Sequence, residues 1–216
     1  MQKCAAADAL KVLASSDENR SAIAKQGAVG PIVELLRSGK GDQKQVAAEA
    51  LRVLASDDEN RIQVGKEGGI GPLVTLLRDG NSTQKHAAVD ALRVLAYNNE
   101  NCVAIKTEGG VGPLIELLQT GNDDQKIAAA RTLGNLACEN SNHIAIEDNK
   151  AISLLVELLR AVNDEQKHAA AFALKTLAND DANTGSAAIA HEGAIFPFVK
   201  LLRFGKDNLE YYCRGT

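Results

Sequence analysis

Acidic and basic side chains recur in this chain at a spacing that could do chemistry. Asp8/Lys11, Glu49/Arg52 and Asp90/Arg93 are each i, i+3 pairs, and each pair lies 41 residues from the next. On a helix such a pair shares one face, so the three copies form a ladder of charge. One reading is intrahelical surface pairing, at about 0.2–0.5 kcal/mol per pair. The other is a stacked row of charge-assisted donors and acceptors that meets a mixed-charge partner. Catalysis would need more, namely a convergent base, nucleophile or set of ligands. His86 and His168 share a register two units apart, about 20 Å at the usual spacing of packed helices and too far for one metal. His143 and His191 have no Cys or His at ligand spacing. The run Gly68-Gly69-Ile70-Gly71-Pro72 lacks the GxxxxGK[ST] pattern of a phosphate loop, and its recurrence marks it as structural. No catalytic residue, metal or cofactor is expected.

What positions the ladder is a repeat. Gln-Lys occurs at Gln2-Lys3, Gln43-Lys44, Gln84-Lys85, Gln125-Lys126 and Gln166-Lys167. Each pair is followed by an alanine-rich segment ending in Leu-x-x-Leu-Ala, as at Leu51/Leu54 and Leu92/Leu95. A fixed period of this length specifies a repeat architecture. Gln2–Ala14 reads as a helix with Ala6, Ala9, Leu10 and Leu13 as its apolar stripe. Glu18–Lys25 reads as a short helix, broken at Gln26-Gly27. Ala28–Ser38 reads as a helix with Pro31 in its first turn and Gly39 as its stop. Asp42 then offers a side-chain oxygen at the start of a long helix. Asn19, Asn60, Asn101, Asn142 and Asn183 hold one position near the start of each short helix.

The fourth full unit departs, with Lys150, Leu154 and Val162 where the others have Gly, Pro and Gly. Asn149 is the residue expected to take its left-handed turn. The next unit is two residues longer but regains Gly193, Pro197 and Gly205. One domain over 1–216 is expected, with full units 27–67, 68–108, 109–149 and 150–192 between partial units 1–26 and 193–216. Asp207–Tyr212 starts where a further long helix belongs. Neither end carries a polar capping unit, so the chain reads as a segment of a longer array. Weak self-association through those ends is expected.

Composition sets the remaining bounds. The net charge of −4, with charges interspersed, gives no basic patch for nucleic acid. No apolar run approaches the roughly 18 residues of a membrane span, and the charged N-terminus is not a secretory signal. Gln2 stands where N-myristoylation requires glycine. Cys4, Cys102, Cys138 and Cys213 form no CxxC pair and read as small buried or half-buried thiols. They point to a reducing compartment, the cytoplasm or nucleus.

Gly-x-x-Gly-Pro-x-x-x-Leu-Leu followed by Ala-Leu-x-x-Leu-Ala, in three-helix units of 41 residues, resembles the armadillo repeat. Ankyrin and tetratricopeptide repeats have periods of about 33 and 34 residues. HEAT repeats lack the short Asn-led helix. The resemblance implies an all-α, right-handed superhelical solenoid whose third helices line a concave groove for an extended peptide or partner segment. It also implies a non-catalytic scaffold or adaptor. A spacer or assembly region of a larger protein, such as a ubiquitin ligase or vacuole-membrane adaptor, is the alternative. Nuclear import fits less well. Importing members carry a Trp-x-x-x-Asn array, yet Asp8, Glu49, Asp90, Arg131 and Phe172 stand at the Trp position and only Asn135 matches.

In Asp42–Ala55 the buried stripe is Val46, Ala47, Ala50, Leu51 and Leu54, which leaves Gln45, Glu49, Arg52 and Val53 facing the groove. The same register gives Cys4, Asp8, Lys11 and Val12 in the first unit, and His86, Asp90, Arg93 and Val94 in the third. It then gives Ile127, Arg131, Gly134 and Asn135, and finally His168, Phe172, Lys175 and Thr176. Arg131, His168 and Phe172 are expected to form a second pocket with an aromatic anchor.

Overall fold

Alanine- and leucine-rich stripes at helical spacing fold as helices throughout the computed structural model, which describes residues 2–138, 142, 146, 150–179 and 184–204. Asn149, Asn183, His143, Gly205, Cys213 and the Asp207–Tyr212 segment lie outside the described residues. The first long helix is α1 (Gln2–Leu13). Three units follow, each of a short helix, a Pro-bearing helix and a long helix. They are α2 (Asp17–Lys25), α3 (Val29–Ser38) and α4 (Asp42–Leu54); α5 (Asp58–Lys66), α6 (Ile70–Asp79) and α7 (Ser82–Leu95); and α8 (Asn99–Thr107), α9 (Val111–Thr120) and α10 (Asp123–Leu136). Beyond them come α11 (Ala151–Leu159), α12 (Asp164–Leu177), α13 (Thr184–His191) and α14 (Ile195–Phe204).

Each long helix packs on the next, in the order α1, α4, α7, α10, α12, and α3, α6, α9 and α11 each pack on the long helix after them, although α11 has Leu154 in place of the proline. Leu51, Leu54, Leu92, Leu95, Leu133 and Leu136 are wholly buried at these seams. Burial of one such side chain stabilises by roughly 1.5–3 kcal/mol. The recurring Leu-x-x-Leu is therefore the core itself.

The punctuation has distinct physical causes. Gly27, Gly68, Gly109 and Gly193 take positive φ, between 71° and 79°. At the fourth of these turns Lys150 stands left-handed, at φ 60°, while the expected turn residue, Asn149, lies outside the described residues. Gly39 is different, since its φ of −65° suits any residue. A Cβ there would lie 2.3 Å from the Leu35 carbonyl oxygen and 3.0 Å from the Gln43 Cβ, so close approach demands glycine. Where Val162 replaces it, α11 stops at Leu159 and Val162 is left 96% exposed.

Two repeated polar residues bolt units together. The Asn60 amide donates to Leu54 O at 3.1 Å and to Arg20 O, in the preceding unit, at 3.2 Å. Asn101 repeats this with Leu95 O and Arg61 O, both at 3.1 Å. In two of the Gln-Lys marks the Gln also acts twice. Gln84 forms a reciprocal cap with Asn81 and sends its amide to Gly41 O at 2.9 Å. Gln125 does the same with Asn122 and Ser82 O at 3.0 Å. The cap residue is thus Asn81 or Asn122. At α4 it is Gly41, with no side-chain bond, so Asp42 does not cap its helix as expected. Asp42 lies instead in the first turn, where its negative charge suits the helix dipole.

Candidate functional site

The groove face of the long helices divides into two depressions. The first, of about 360 Å³, is lined by Lys11, Glu49, Arg52, Val53, His86, Ala87 and Asp90. The second, of about 220 Å³, is lined by His86, Asp90, Arg93, Asp124, Ile127, Ala128, Arg131 and Glu165. His86 and Asp90 belong to both, so the depressions adjoin across α7.

The charge ladder is wired across helices as well as along them. Lys11 Nζ lies 2.7 Å from Asp8 and 2.8 Å from Glu49 of the next long helix. Gln45 donates to the other Glu49 oxygen at 2.9 Å. The expected Glu49/Arg52 pair does not form among the described residues: each Glu49 oxygen accepts from another side chain, and Arg52 acts on it through its field alone. Arg93 and His86 flank Asp90 at 3.8 Å each, too far for hydrogen bonds. The Nδ1 of His86 is buried with no partner among the described residues.

Ionisation follows this wiring. Hydrogen bonds to Asp8 and Glu49 raise the Lys11 pKa, outweighing desolvation. Burial works to raise that of Glu49, but the hydrogen bonds from Lys11 and Gln45 and the charges of Lys11 and Arg52 bring it below its ordinary value. His168 has an exposed edge, yet partial burial of the imidazole, helped by the Arg131 charge, pushes its pKa down.

Several expected groove residues sit deeper than the register suggests. Val94 is 8% exposed, Ile127 8% and Asn135 6%, so none presents an open surface. The Asn135 amide donates to Arg93 O at 3.2 Å, bolting α10 to α7. Gly134 is buried beneath Phe172: a Cβ on it would lie 2.6 Å from the Phe172 ring and 3.0 Å from the Ala173 Cα. Gln45, Glu49, Arg52, Val53, His86, Asp90, Arg93 and Arg131 are half-buried, while His168, Phe172 and Lys175 are exposed. Of the expected trio, the Arg131 charge acts on His168 and the Phe172 ring of α12 packs over Gly134 of α10, but the depression that Arg131 lines includes neither His168 nor Phe172.

Asp124 and Glu165 escaped the sequence reading. They lie 41 residues apart and three before Ile127 and His168, so the groove face extended back by one turn would have found them. Among the described residues no three His, Cys, Asp or Glu side chains gather as a metal would need, and no helix is long and apolar enough to cross a membrane. Cys4, Cys102 and Cys138 form no disulfide, and the Cys102 thiol donates to Ala96 O. Cys138 is exposed rather than buried, and desolvation of its sulfur pushes its pKa up.

Stacked three-helix units with a continuous face of long helices define a helical-repeat solenoid with a groove. The armadillo/beta-catenin-like repeat model matches residues 16–56, 57–97 and 98–138, more than half of the chain, in windows that open just before the short helix. The chain belongs to the armadillo repeat family, whose solenoid is a right-handed superhelix. An engineered protein is similar at 31% identity and a TM-score of 0.89, over 96% of this chain and 85% of that one. A designed armadillo repeat protein in complex with the peptide (KR)4 is similar at 26% identity and 0.86, over 95% and 87%. Computationally designed armadillo repeat proteins for modular peptide recognition are similar at 25% identity and 0.86, over 95% and 88%. The comparison with curated proteins finds no match.

Proposed function

We propose that this chain is a non-catalytic protein–protein interaction scaffold that takes an extended peptide or partner segment along the groove of its long helices. The observation that carries this reading is the pair of adjoining depressions sharing His86 and Asp90. They form a continuous polar track with donors, acceptors and, beyond them, the exposed Phe172 ring. A similar solved protein holds the peptide (KR)4, which supports an extended peptide as the kind of occupant. Cysteines without a disulfide among the described residues suit a reducing compartment, the cytoplasm or nucleus. The sequence contains no tryptophan, which argues against import by a Trp/Asn ladder.

The test is crosslinking and pull-down mass spectrometry with the wild type and a variant changed at Glu49, Asp90, Arg131 and Phe172 together. Loss of partners from a variant with native circular dichroism is expected. An unchanged partner set from that folded variant would sink the groove reading.

A second reading, an assembly element, is favoured by apolar surface at both ends of the described stack. Val12 and Leu13 on α1 are 64% and 53% exposed, and Phe196, Leu202 and Phe204 on α14 are 75%, 87% and 77% exposed. Light scattering at millimolar protein is expected to show self-association, and a strictly monomeric mass there rejects this reading.

A further inference from the structure

The groove differs along its length in which charges are already answered. Of the three ladder cations, Lys11 is held by Asp8 and Glu49, and Arg93 faces Asp90. Arg52 has no carboxylate within 4.0 Å among the described residues. Lys11 instead reaches across from α1 and bonds Glu49, the carboxylate one turn before Arg52. Arg52 nevertheless lines the first depression beside Val53 and Ala87, so its guanidinium borders both polar and apolar surface. Its fork of donors matches a carboxylate in both charge and shape.

At the other end the groove carries an apolar feature. The Phe172 ring is 36% exposed and backed by Gly134, where the missing side chain lets α10 and α12 approach. A ring packed along one edge against backbone loses little further freedom on binding, which is what an anchor requires. Partial burial and the Arg131 charge lower the pKa of His168, one turn before Phe172, which disfavours its charged form.

These two features lie three packing steps apart, from α4 through α7 and α10 to α12. At about 8–10 Å per step the separation is about 24–30 Å. An extended chain covers that in about seven to nine residues, at about 3.3 Å each. Resting on the groove reading above, we propose that the groove selects a partner segment bearing a carboxylate side chain and an aromatic or large apolar side chain about eight residues apart. Arg52 receives the carboxylate and the Gly134–Phe172 ledge receives the apolar group. The two ends specify, and the polar track between them carries the intervening backbone.

The test uses fluorescein-labelled synthetic peptides of glycine and serine, carrying one glutamate and one phenylalanine about eight residues apart. Companion peptides replace the glutamate with glutamine or lysine, replace the phenylalanine with serine, or halve the spacing. Anisotropy titration is expected to show the glutamine peptide binding about two- to fivefold more weakly than the glutamate peptide. The serine peptide is expected to lose roughly tenfold. Arg52→Glu is expected to abolish the preference for glutamate and install one for lysine, which a structural role for Arg52 would not do. Equal binding of the glutamate and glutamine peptides, or tighter binding of the lysine peptide to the wild type, overturns the proposal. So does equal binding at half the spacing, or no binding of any peptide at millimolar concentration. Either result leaves the broader groove reading to be judged by the crosslinking experiment, in which the natural partner is captured.

Discussion

The α4–α7 stretch of the groove and the α10–α12 stretch use one register for opposite ends. At α4 and α7 the positions 45, 49, 52 and 86, 90, 93 carry polar side chains that stay half-exposed, and all but Gln45 line the two depressions. At α10 the same positions hold Ile127, Arg131 and Gly134; Ile127 is buried at the floor of the second depression and Gly134 beneath Phe172 of the following unit. A side chain at position 134 would hold α12 away, and its absence lets Phe172 and Ala173 close in. What separates a recognition surface from a packed seam is thus the size of a few side chains on an unchanged backbone repeat. Arg93 and Gly134, 41 residues apart, are the sharpest instance.

The largest expected effect tests that instance directly. Gly134→Val forces a branched side chain into the Phe172 ring and is expected to cost about 1–3 kcal/mol in urea unfolding. Arg93→Val, at the same register position, is expected to change stability by less than about 0.5 kcal/mol. Equal effects would dissolve the distinction between the two stretches. Next comes Asn135→Ala, which leaves the buried Arg93 carbonyl without its donor and is expected to cost about 1 kcal/mol. Arg52→Ala should be near neutral in the same melts.

A smaller effect belongs to the ionic stretch. Glu49 has a depressed pKa, so its contribution is present above its unfolded value and lost as the pH falls through its folded value. Lys11 has a raised pKa, so its contribution is present below its unfolded value and lost as the pH rises through the folded one. Lys11→Met is expected to lower stability at neutral pH by at most about 1 kcal/mol, with a smaller difference in 1 M salt. Hydrogen exchange at α1 and α4 would register the change while α10 and α12 stayed protected. The smallest effect is at His168, whose depressed pKa makes the folded state lose stability as the pH falls below the unfolded histidine value. In an NMR titration, Arg131→Ala should shift that pKa upward by removing a like charge.

How much of this was legible beforehand varies with the physics involved. Leu51, Leu54 and their repeats were read as core because helical spacing alone puts them on one face. Gly27, Gly68 and Gly109 were read as turns because only a left-handed conformation reverses the chain so sharply. The Gln-Lys mark was visible merely as a repetition, because its role depends on Gly41 O and Ser82 O, over 40 residues away. Asn101 was likewise visible as a position without a purpose. Asp124 and Glu165 were missed because the width of the groove depends on how neighbouring helices tilt, which no single helix records.

By itself, then, the sequence determined the period, the three-helix unit and the apolar stripes, since these rest on local periodicity and on residues with restricted backbones. Only the tertiary structure decided which carboxylate Lys11 would take, and that Arg52 would have no carboxylate within 4.0 Å among the described residues. Only it decided that Val94, Ile127 and Asn135 would sink into the seam. Those outcomes depend on distances between helices of a few ångströms, set by side chains in other units.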